Sequence, residues 1–178
     1  MGYFWSMGIS FKNKELAEQC ETEIDSLILS DNTFVGLKKY VEQNEKLQTY
    51  ILGIYPEGME IAESEKLFSY PFFQEIRNQL NNIVLNLEIE YNIAFYEFEA
   101  ADYLLNEDIV EDISNYGLGE IRERDFNVLY FDEEHYIPKR YFDGLILSND
   151  EYKKIAMAYP EFEPYKKGYV WLPNRNSR

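Results

Sequence analysis

The chain has one cysteine and one histidine in 178 residues. A single cysteine excludes an internal disulfide, and we expect Cys20 to be a small buried side chain in a protein of the reducing cytosol. A single histidine, His135, argues against a zinc site, because zinc sites of the usual kinds use several Cys or His ligands. The sequence therefore predicts no zinc site and contains no motif for another metal, although carboxylates in general can bind hard cations such as Mg²⁺ or Ca²⁺.

Glycine and proline are also sparse, with nine and six residues. The glycines are scattered, and none of them forms a phosphate-binding loop or a dinucleotide fingerprint, so we expect no cofactor. No Gly/Ser-rich or Pro-rich linker and no internal repeat appears. We therefore predict a single domain over residues 1–178, with a basic tail that frays from about residue 173.

No hydrophobic run approaches the eighteen residues that a membrane-spanning helix requires. Residues 3–11 are apolar, but no basic residue precedes them and no small-residue cleavage site follows. They are therefore typical of a first β-strand and not of a signal peptide. We expect a cytoplasmic protein without membrane contact.

Basic residues are few: 17 Lys and Arg face 33 Asp and Glu, which gives a net charge of −16. The negative charge is concentrated in residues 88–134, which hold fifteen acidic residues and only two arginines and therefore have a local charge of −13. Such a chain repels polyanions, so we expect no direct binding of nucleic acid. The same field attracts a basic protein.

Apolar periodicity predicts an α+β fold, in which an antiparallel-leaning β-sheet packs against three or four α-helices. Helices are predicted from Asn13, over 34–51, after Pro71, from a cap at Asn106, and from Ser148 to about Tyr159. Strands are predicted over 3–11, 89–95, 126–130, 145–147 and 169–172. Ser148 and Glu151, which follow the predicted strand over 145–147, have the spacing of a helix capping box.

The acidic block carries the candidate binding residues. Glu88 and Glu90, and again Glu97 and Glu99, alternate with apolar positions, and the shift by one position between the two pairs predicts a bulge. Strand spacing would place each pair about 6.6–6.8 Å apart, like the phosphates of a nucleic-acid backbone. With nearby helix acids and tyrosine anchors, the predicted partner-binding set is Glu88, Glu90, Glu97, Glu99, Glu107, Asp108, Glu111, Asp112, Tyr91, Tyr96, Tyr103 and Tyr116.

One pattern suggests an enzyme instead. Asp143 is followed by Glu151 and Lys153, which loosely matches the acid, then acid-x-Lys order of metal-dependent nucleases. Glu151 already has a structural role in the predicted capping box, and a chain of net charge −16 would repel a polyanionic substrate.

We therefore hypothesise a non-enzymatic acidic inhibitor that binds and neutralises a basic, nucleic-acid-acting protein, as immunity proteins of bacterial toxins and phage anti-defence proteins do. Two alternatives stay open. The first is a metal-dependent nuclease or another enzyme with an unrecognised site. The second is a structural or oligomerisation module.

Overall fold

The computed structural model describes residues 3–58, 60–61, 73–115, 117–118, 142 and 144–173. The fold is α+β, as the sequence predicts. In chain order, the elements are β1 (Tyr3–Phe11), α1 (Lys14–Glu23), β2 (Leu27–Ile28), β3 (Phe34–Val35), β4 (Leu37–Asn44), β5 (Thr49–Pro56), β6 (Glu60–Ile61), α2 (Phe73–Asn86), β7 (Ile93–Phe98), α3 (Ala100–Asn106), α4 (109–115), β8 (Ile146–Ser148), α5 (Asn149–Tyr152), β9 (Glu163–Lys166) and β10 (Tyr169–Trp171).

The main sheet is larger than the sequence indicates. Its strands follow the order β4-β5-β1-β7-β8-β10-β9, and β6 pairs with the start of β1. Every pairing in this sheet is antiparallel. Strand β1 lies between β5 and β7, with Met7 opposite Ile54 on one side and Tyr96 on the other. The short strands β2 and β3 form a separate hairpin.

Helices cover both faces of the sheet. The described side chains of β1 alternate between these two faces and are buried on each of them. Trp5, Met7, Ile9 and Phe11 belong to the core that includes Ala17 of α1 and Leu80 of α2. The intervening residues are small: the Ser6 hydroxyl accepts a hydrogen bond from the Ala101 N–H at 3.0 Å, on the α3 side. A second core on that side contains residues of β7, α3 and α4. Burial on two faces explains why β1 has no charged residue, with large apolar side chains on one face and Ser6, Gly8 and Ser10 on the other.

The predicted helix over 34–51 is wrong, because these residues form β3, β4 and the first three residues of β5. Strands β4 and β5 pair in register from Leu37 with Pro56 to Asn44 with Thr49. Apolar residues at three- and four-residue spacing are typical of a helix, and this spacing led to the wrong prediction. The β-branched Val41, Thr49 and Ile51 favour a strand instead. Gly53, two residues after the end of the predicted helix, lies in β5 opposite Tyr40 of β4.

Strand β7 corrects two expectations about the acidic block. It begins at Ile93, so Glu88 and Glu90 precede it and are not part of any strand. Its pairing with β1 runs without interruption from Ser10–Ile93 to Trp5–Phe98, so the predicted bulge is absent from this ladder. Both faces of β7 are covered, and Glu97 is therefore buried, with 7% of its surface exposed. Glu99 adopts a left-handed conformation, φ 50°, at the start of α3.

Helix ends follow local polar contacts. The Asn13 side chain accepts a hydrogen bond from the Leu16 N–H at 3.0 Å, which confirms the predicted start of α1. Helix α2, after Pro71, is also confirmed. The cap predicted at Asn106 is wrong, because Asn106 ends α3 and Asp108 caps α4 instead. The predicted helix to Tyr159 is only the short α5, which ends at Tyr152.

Several predicted features lie outside the described residues: the strand over 126–130, the side chains Tyr116, His135 and Asp143, and the tail after residue 173. The strands predicted near 145–147 and 169–172 are confirmed as β8 and β10. Among the described residues, no helix combines the length and the apolar character needed to cross a bilayer.

Candidate functional site

An acid-rimmed cleft of about 520 Å³ lies between one end of the sheet and the helices α4 and α5. We call it the α4 cleft. It is lined by Ser10, Leu47, Thr49, Asn92, Ile93, Asp108, Val110, Glu111, Ser114, Glu151 and Lys154. Its volume falls in the range of about 300–1,000 Å³ that is typical of ligand-binding sites. The cleft joins residues that are far apart in the sequence.

The floor of the cleft is polar. Ser10 of β1 and Asn92, which precedes β7, are 4% and 7% exposed, and Thr49 of β5 lies beside them in the lining. The Thr49 Oγ1 atom is buried and has no hydrogen-bond partner among the described residues. Buried hydroxyl and amide groups normally have partners, because leaving one unpaired costs about 1–3 kcal/mol. The Thr49 hydroxyl oxygen is thus unpaired but shielded from the open space of the cleft.

The rim carries three carboxylates and is held in place by its own hydrogen bonds. Asp108 Oδ1 accepts from the N–H groups of Val110 and Glu111 at 3.1 and 3.0 Å, and thereby caps α4. Glu111 forms an ion pair with Lys46 at 2.9 Å, and this hydrogen bond raises the pKa of Lys46. Glu151 forms an ion pair with Lys154 at 2.7 Å, and only 15% of the Glu151 side chain is exposed.

The walls of the cleft are tied to one another. Ser114 Oγ donates to the Val110 carbonyl oxygen at 2.8 Å and accepts from the Ala156 N–H at 3.2 Å, which joins α4 to the segment after α5. On the other side, the Ser148 N–H donates to the Asn92 carbonyl oxygen at 2.8 Å. The acids on the rim are thus presented by a braced framework.

Glu88 and Glu90 lie elsewhere, at a second depression of about 600 Å³. We call it the α1 groove, because Leu16, Gln19 and Glu23 of α1 form one wall, opposite Asn86, Glu88, Ile89 and Glu90. Glu88 and Glu90 are exposed. No lysine or arginine of the described chain forms an ion pair with either of them. The α1 groove and the α4 cleft share no lining residue.

The structure thus divides the predicted partner-binding acids. Asp108 and Glu111 line the α4 cleft, and Asp112 on the same helix accepts a hydrogen bond from the Tyr103 hydroxyl. Glu107 is exposed just before α4. Glu97 is not on a surface ladder, since its carboxylate accepts the buried Phe142 N–H at 3.1 Å. Glu99 is partly buried. The phosphate-like ladder of four glutamates is therefore wrong.

The predicted tyrosine anchors are core residues. Tyr91, Tyr96 and Tyr103 are 2%, 2% and 6% exposed. The Tyr91 ring stacks on Tyr169 with centroids 4.5 Å apart, and the Tyr103 ring packs edge-on against Phe142. Side chains so deeply buried do not offer a surface to a partner. Tyr116, the fourth predicted anchor, lies outside the described residues.

The residues of the enzyme alternative are only partly placed. Ser148 Oγ accepts the Glu151 N–H at 3.3 Å, which is the first half of the predicted capping box. The second half is wrong, because the Ser148 N–H bonds to Asn92. Lys153 is exposed and lies 3.7 Å from Asp150. Within the described ranges, no three His, Cys, Asp or Glu side chains are arranged to hold a metal ion.

Sequence reasoning missed the floor of the α4 cleft. Ser10 and Asn92 are polar residues inside apolar stretches, and that interruption is the signal that could have marked them. No local pattern connects them to Thr49, because three different strand regions bring these side chains together.

No known protein family, curated protein or solved structure shows significant similarity to this chain.

Proposed function

We propose that this protein is a non-enzymatic acidic inhibitor that binds and neutralises a basic, nucleic-acid-acting protein. Immunity proteins of bacterial toxins and phage anti-defence proteins are the classes whose mode of action it resembles. The observation that carries the proposal is the arrangement around α4. Asp108, Glu111 and Asp112 occupy one short helix and its cap, and each is held by a hydrogen bond or an ion pair.

Rigid presentation of charge matters for such a function. A carboxylate that is already ordered loses little conformational entropy when a partner binds. A concentrated negative field steers a cationic protein into contact and accelerates association, and this effect weakens as salt screens the charges. Glu88 and Glu90 add negative charge at the α1 groove. Neither of them forms an ion pair with a lysine or arginine of the described chain.

The internal ion pairs do not cancel this surface. The Lys46–Glu111 pair is more than half exposed on both sides, at 58% and 53%. Exposed ion pairs contribute about 0–1 kcal/mol, so a partner arginine can displace or share the lysine at small cost. The carboxylates on α4 thus stay available to a stronger cationic ligand.

The proposal is tested by capture from the organism that encodes the chain, at low salt. The first partner to examine is the product of the reading frame directly upstream of this gene. The tagged protein should enrich one basic protein and should inhibit its activity on nucleic acid when both are purified. Binding that does not inhibit, or no enrichment above an unrelated protein of the same net charge, would contradict the proposal.

Two charge-reversal variants test which acidic residues attract the basic protein. Glu88→Lys/Glu90→Lys changes two exposed acids in the acidic block, whereas Glu161→Lys/Glu163→Lys changes two exposed acids outside it. Both variants have the same net charge. The first should weaken capture of the basic protein and the second should not.

A further inference from the structure

We infer that strand β4 is a dimerisation edge, where a second copy of this chain adds its own β4 in antiparallel orientation and the sheet continues across both copies. This inference goes beyond the proposed function and does not depend on it. Strand β4 (Leu37–Asn44) stands at one end of the strand order of the main sheet. Among the described residues it pairs on one side only, with β5. Its other side can therefore receive a further strand.

The outer side of β4 presents a regular row of backbone groups. The Glu57 N–H donates to the Gly36 carbonyl oxygen at 2.8 Å, in continuation of the β4–β5 ladder. In an antiparallel ladder, alternate residues of a strand bond to the same neighbour. The even-numbered residues of β4 therefore bond to β5, and the N–H and carbonyl groups that point away from β5 belong to Leu37, Lys39, Val41 and Gln43. Such a row of edge groups is a template for another strand.

The two ends of the sheet differ in how well they could accept a strand. Strand β9, at the far end, has four residues, contains Pro164 and pairs irregularly with β10 between Tyr169 and Val170. Short length, proline and bulges protect an edge from pairing. Strand β4 has eight residues, no proline and an uninterrupted register with β5. The edge-protecting feature that it does have is lysine, which opposes any added strand that brings no acid.

Lys38 and Glu42 make β4 complementary to itself. Both side chains are exposed, and no described residue forms an ion pair with either of them. They lie on the sheet face that α3 covers, because the side chain of Asn44, on the same face, donates to the Leu104 carbonyl oxygen. A two-fold axis perpendicular to the sheet at Tyr40 would place Lys38 of each copy opposite Glu42 of the other.

Charge selects this register among those that the backbone permits. Outward-pointing backbone groups must meet one another, so the axis passes through a residue and not between two residues. An axis at Lys38, Lys39 or Glu42 would place that charged residue opposite its own copy. An axis at Val41 would place no acid opposite a base. The axis at Tyr40 instead forms two Lys38–Glu42 pairs and about eight backbone hydrogen bonds, two for each of four bonded residue pairs.

The net charge of −16 on each copy opposes self-association, so the local charge of the edge matters. Strand β4 carries two lysines and one glutamate and therefore has a local charge of +1. At 0.15 M ionic strength, exposed charges are largely screened beyond about 8 Å. Contacts at the edge then decide whether two copies pair.

Self-association is measured on the whole chain by sedimentation velocity, over a concentration series at about 0.15 M ionic strength. The chain should form a dimer of the 21.3 kDa polypeptide at high concentration and should dissociate on dilution. A chain that stays monomeric throughout the series would overturn the inference.

Single charge reversals test the register. Lys38→Glu brings acidic side chains together across the two-fold axis, and Glu42→Lys brings basic ones together. Each change should raise the dimer Kd at least about tenfold, because two cross-strand contacts become repulsive at once. Both positions are exposed, so the urea midpoint should match that of the unmodified chain at a concentration where all of them are monomeric.

The two reversals should rescue one another. A mixture of Lys38→Glu and Glu42→Lys chains should form a heterodimer with about the Kd of the unmodified dimer, since each cross-strand pair again joins an acid and a base. A mixture that stays monomeric would contradict this register. A general effect of net charge predicts instead that Glu42→Lys, which raises the charge of −16 by two units, dimerises more tightly than the unmodified chain. That result would also overturn the inference.

Matched controls keep the same charge changes away from β4. Lys167→Glu and Glu161→Lys alter exposed residues outside the strand and should leave the dimer Kd unchanged. A weakening by these controls equal to that of the edge variants would contradict a site at β4.

A backbone variant separates a second copy from a strand of another protein. Gln43→Pro removes an N–H that points away from β5, so the fold should be kept and the dimer should be lost. An unchanged dimer would contradict pairing through this edge. If the chain is monomeric and Gln43→Pro weakens capture of the basic protein, the edge receives a strand of that protein, and this inference is wrong while the proposed function stands.

Discussion

The backbone N–H of Asn92 donates a 2.7 Å hydrogen bond to the carbonyl oxygen of Ser10. This bond holds the residue that precedes β7 against the end of β1. The Asn92 carbonyl accepts from Ser148 in turn, which ties the same point to the start of α5. One residue thereby sets the relative positions of the floor of the α4 cleft and the helix that carries Glu151. The polar cleft is a product of strand pairing.

Gly53→Ala should destabilise the fold. A Cβ atom at Gly53 would lie 2.4 Å from Tyr40 Cζ, and the Tyr40 ring stacks on Tyr55 with centroids 5.5 Å apart. The ring must therefore move and lose that contact, at a cost of about 1–3 kcal/mol in the free energy of unfolding. Urea denaturation measures this. In the Tyr40→Ala background the same change should cost much less, and additive effects of the two substitutions would contradict the account.

Lys166→Met should destabilise the end of α2. The Lys166 ammonium donates to the carbonyl oxygens of Val84 and Leu87 at 3.0 and 2.9 Å. It also lies 4.9 Å from the centre of the Tyr91 ring. Losing these contacts should cost about 1–3 kcal/mol. The control is Lys167→Met, an exposed neighbour, which should change stability by less than about 0.5 kcal/mol. Equal effects would show that Lys166 does not cap the helix.

Cys20 should react with thiol reagents only through unfolding. Its surface is 0% exposed, and burial raises the pKa of the thiol to about 12. The thiolate is the reactive form, so alkylation of the native protein at pH 8 should be slow and should accelerate in urea. Rapid alkylation without urea would contradict this burial.

The same pKa shift predicts a pH dependence of stability. Because the folded pKa lies above the ordinary value of 9.0, the protonated thiol stabilises the folded state fully below pH 9.0. That contribution should be lost as the pH rises from 9.0 towards about 12. Buried tyrosines titrate in the same range, so the measurement is the difference between the unmodified chain and Cys20→Ala. The unmodified chain should lose more stability over this range.

The elements that were predicted correctly are those whose sequence patterns lie within one short segment of the chain. The β1 run, the Asn13 cap and the amphipathic α2 are each encoded within about fifteen residues, and all three are confirmed. The β4–β5 hairpin was mistaken for a helix because Leu37, Tyr40 and Val41 fit a helical stripe as well as a strand. Only pairing with β1 decides between the two.

Burial on both faces of a central strand could not be predicted from the acidic block. Glu97 and Tyr96 belong to β7, which lies between β1 and β8, and helices cover its two sides. A glutamate in an alternating pattern is normally on the solvent face, and the Phe142 N–H, which donates to Glu97, is 45 residues away. The α4 cleft was hidden for the same reason, since its floor comes from β1, β5 and the residue before β7.

The most direct test of the central claim is the rate at which the captured basic protein associates with this chain as salt is varied. Screening shortens the reach of charge from about 30 Å at 0.01 M to about 10 Å at 0.1 M ionic strength. We predict that the association rate falls at least about tenfold over this range. We also predict that Glu88→Lys/Glu90→Lys slows association, whereas Glu161→Lys/Glu163→Lys does not. An association rate that is indifferent to salt and to these reversals would contradict the account.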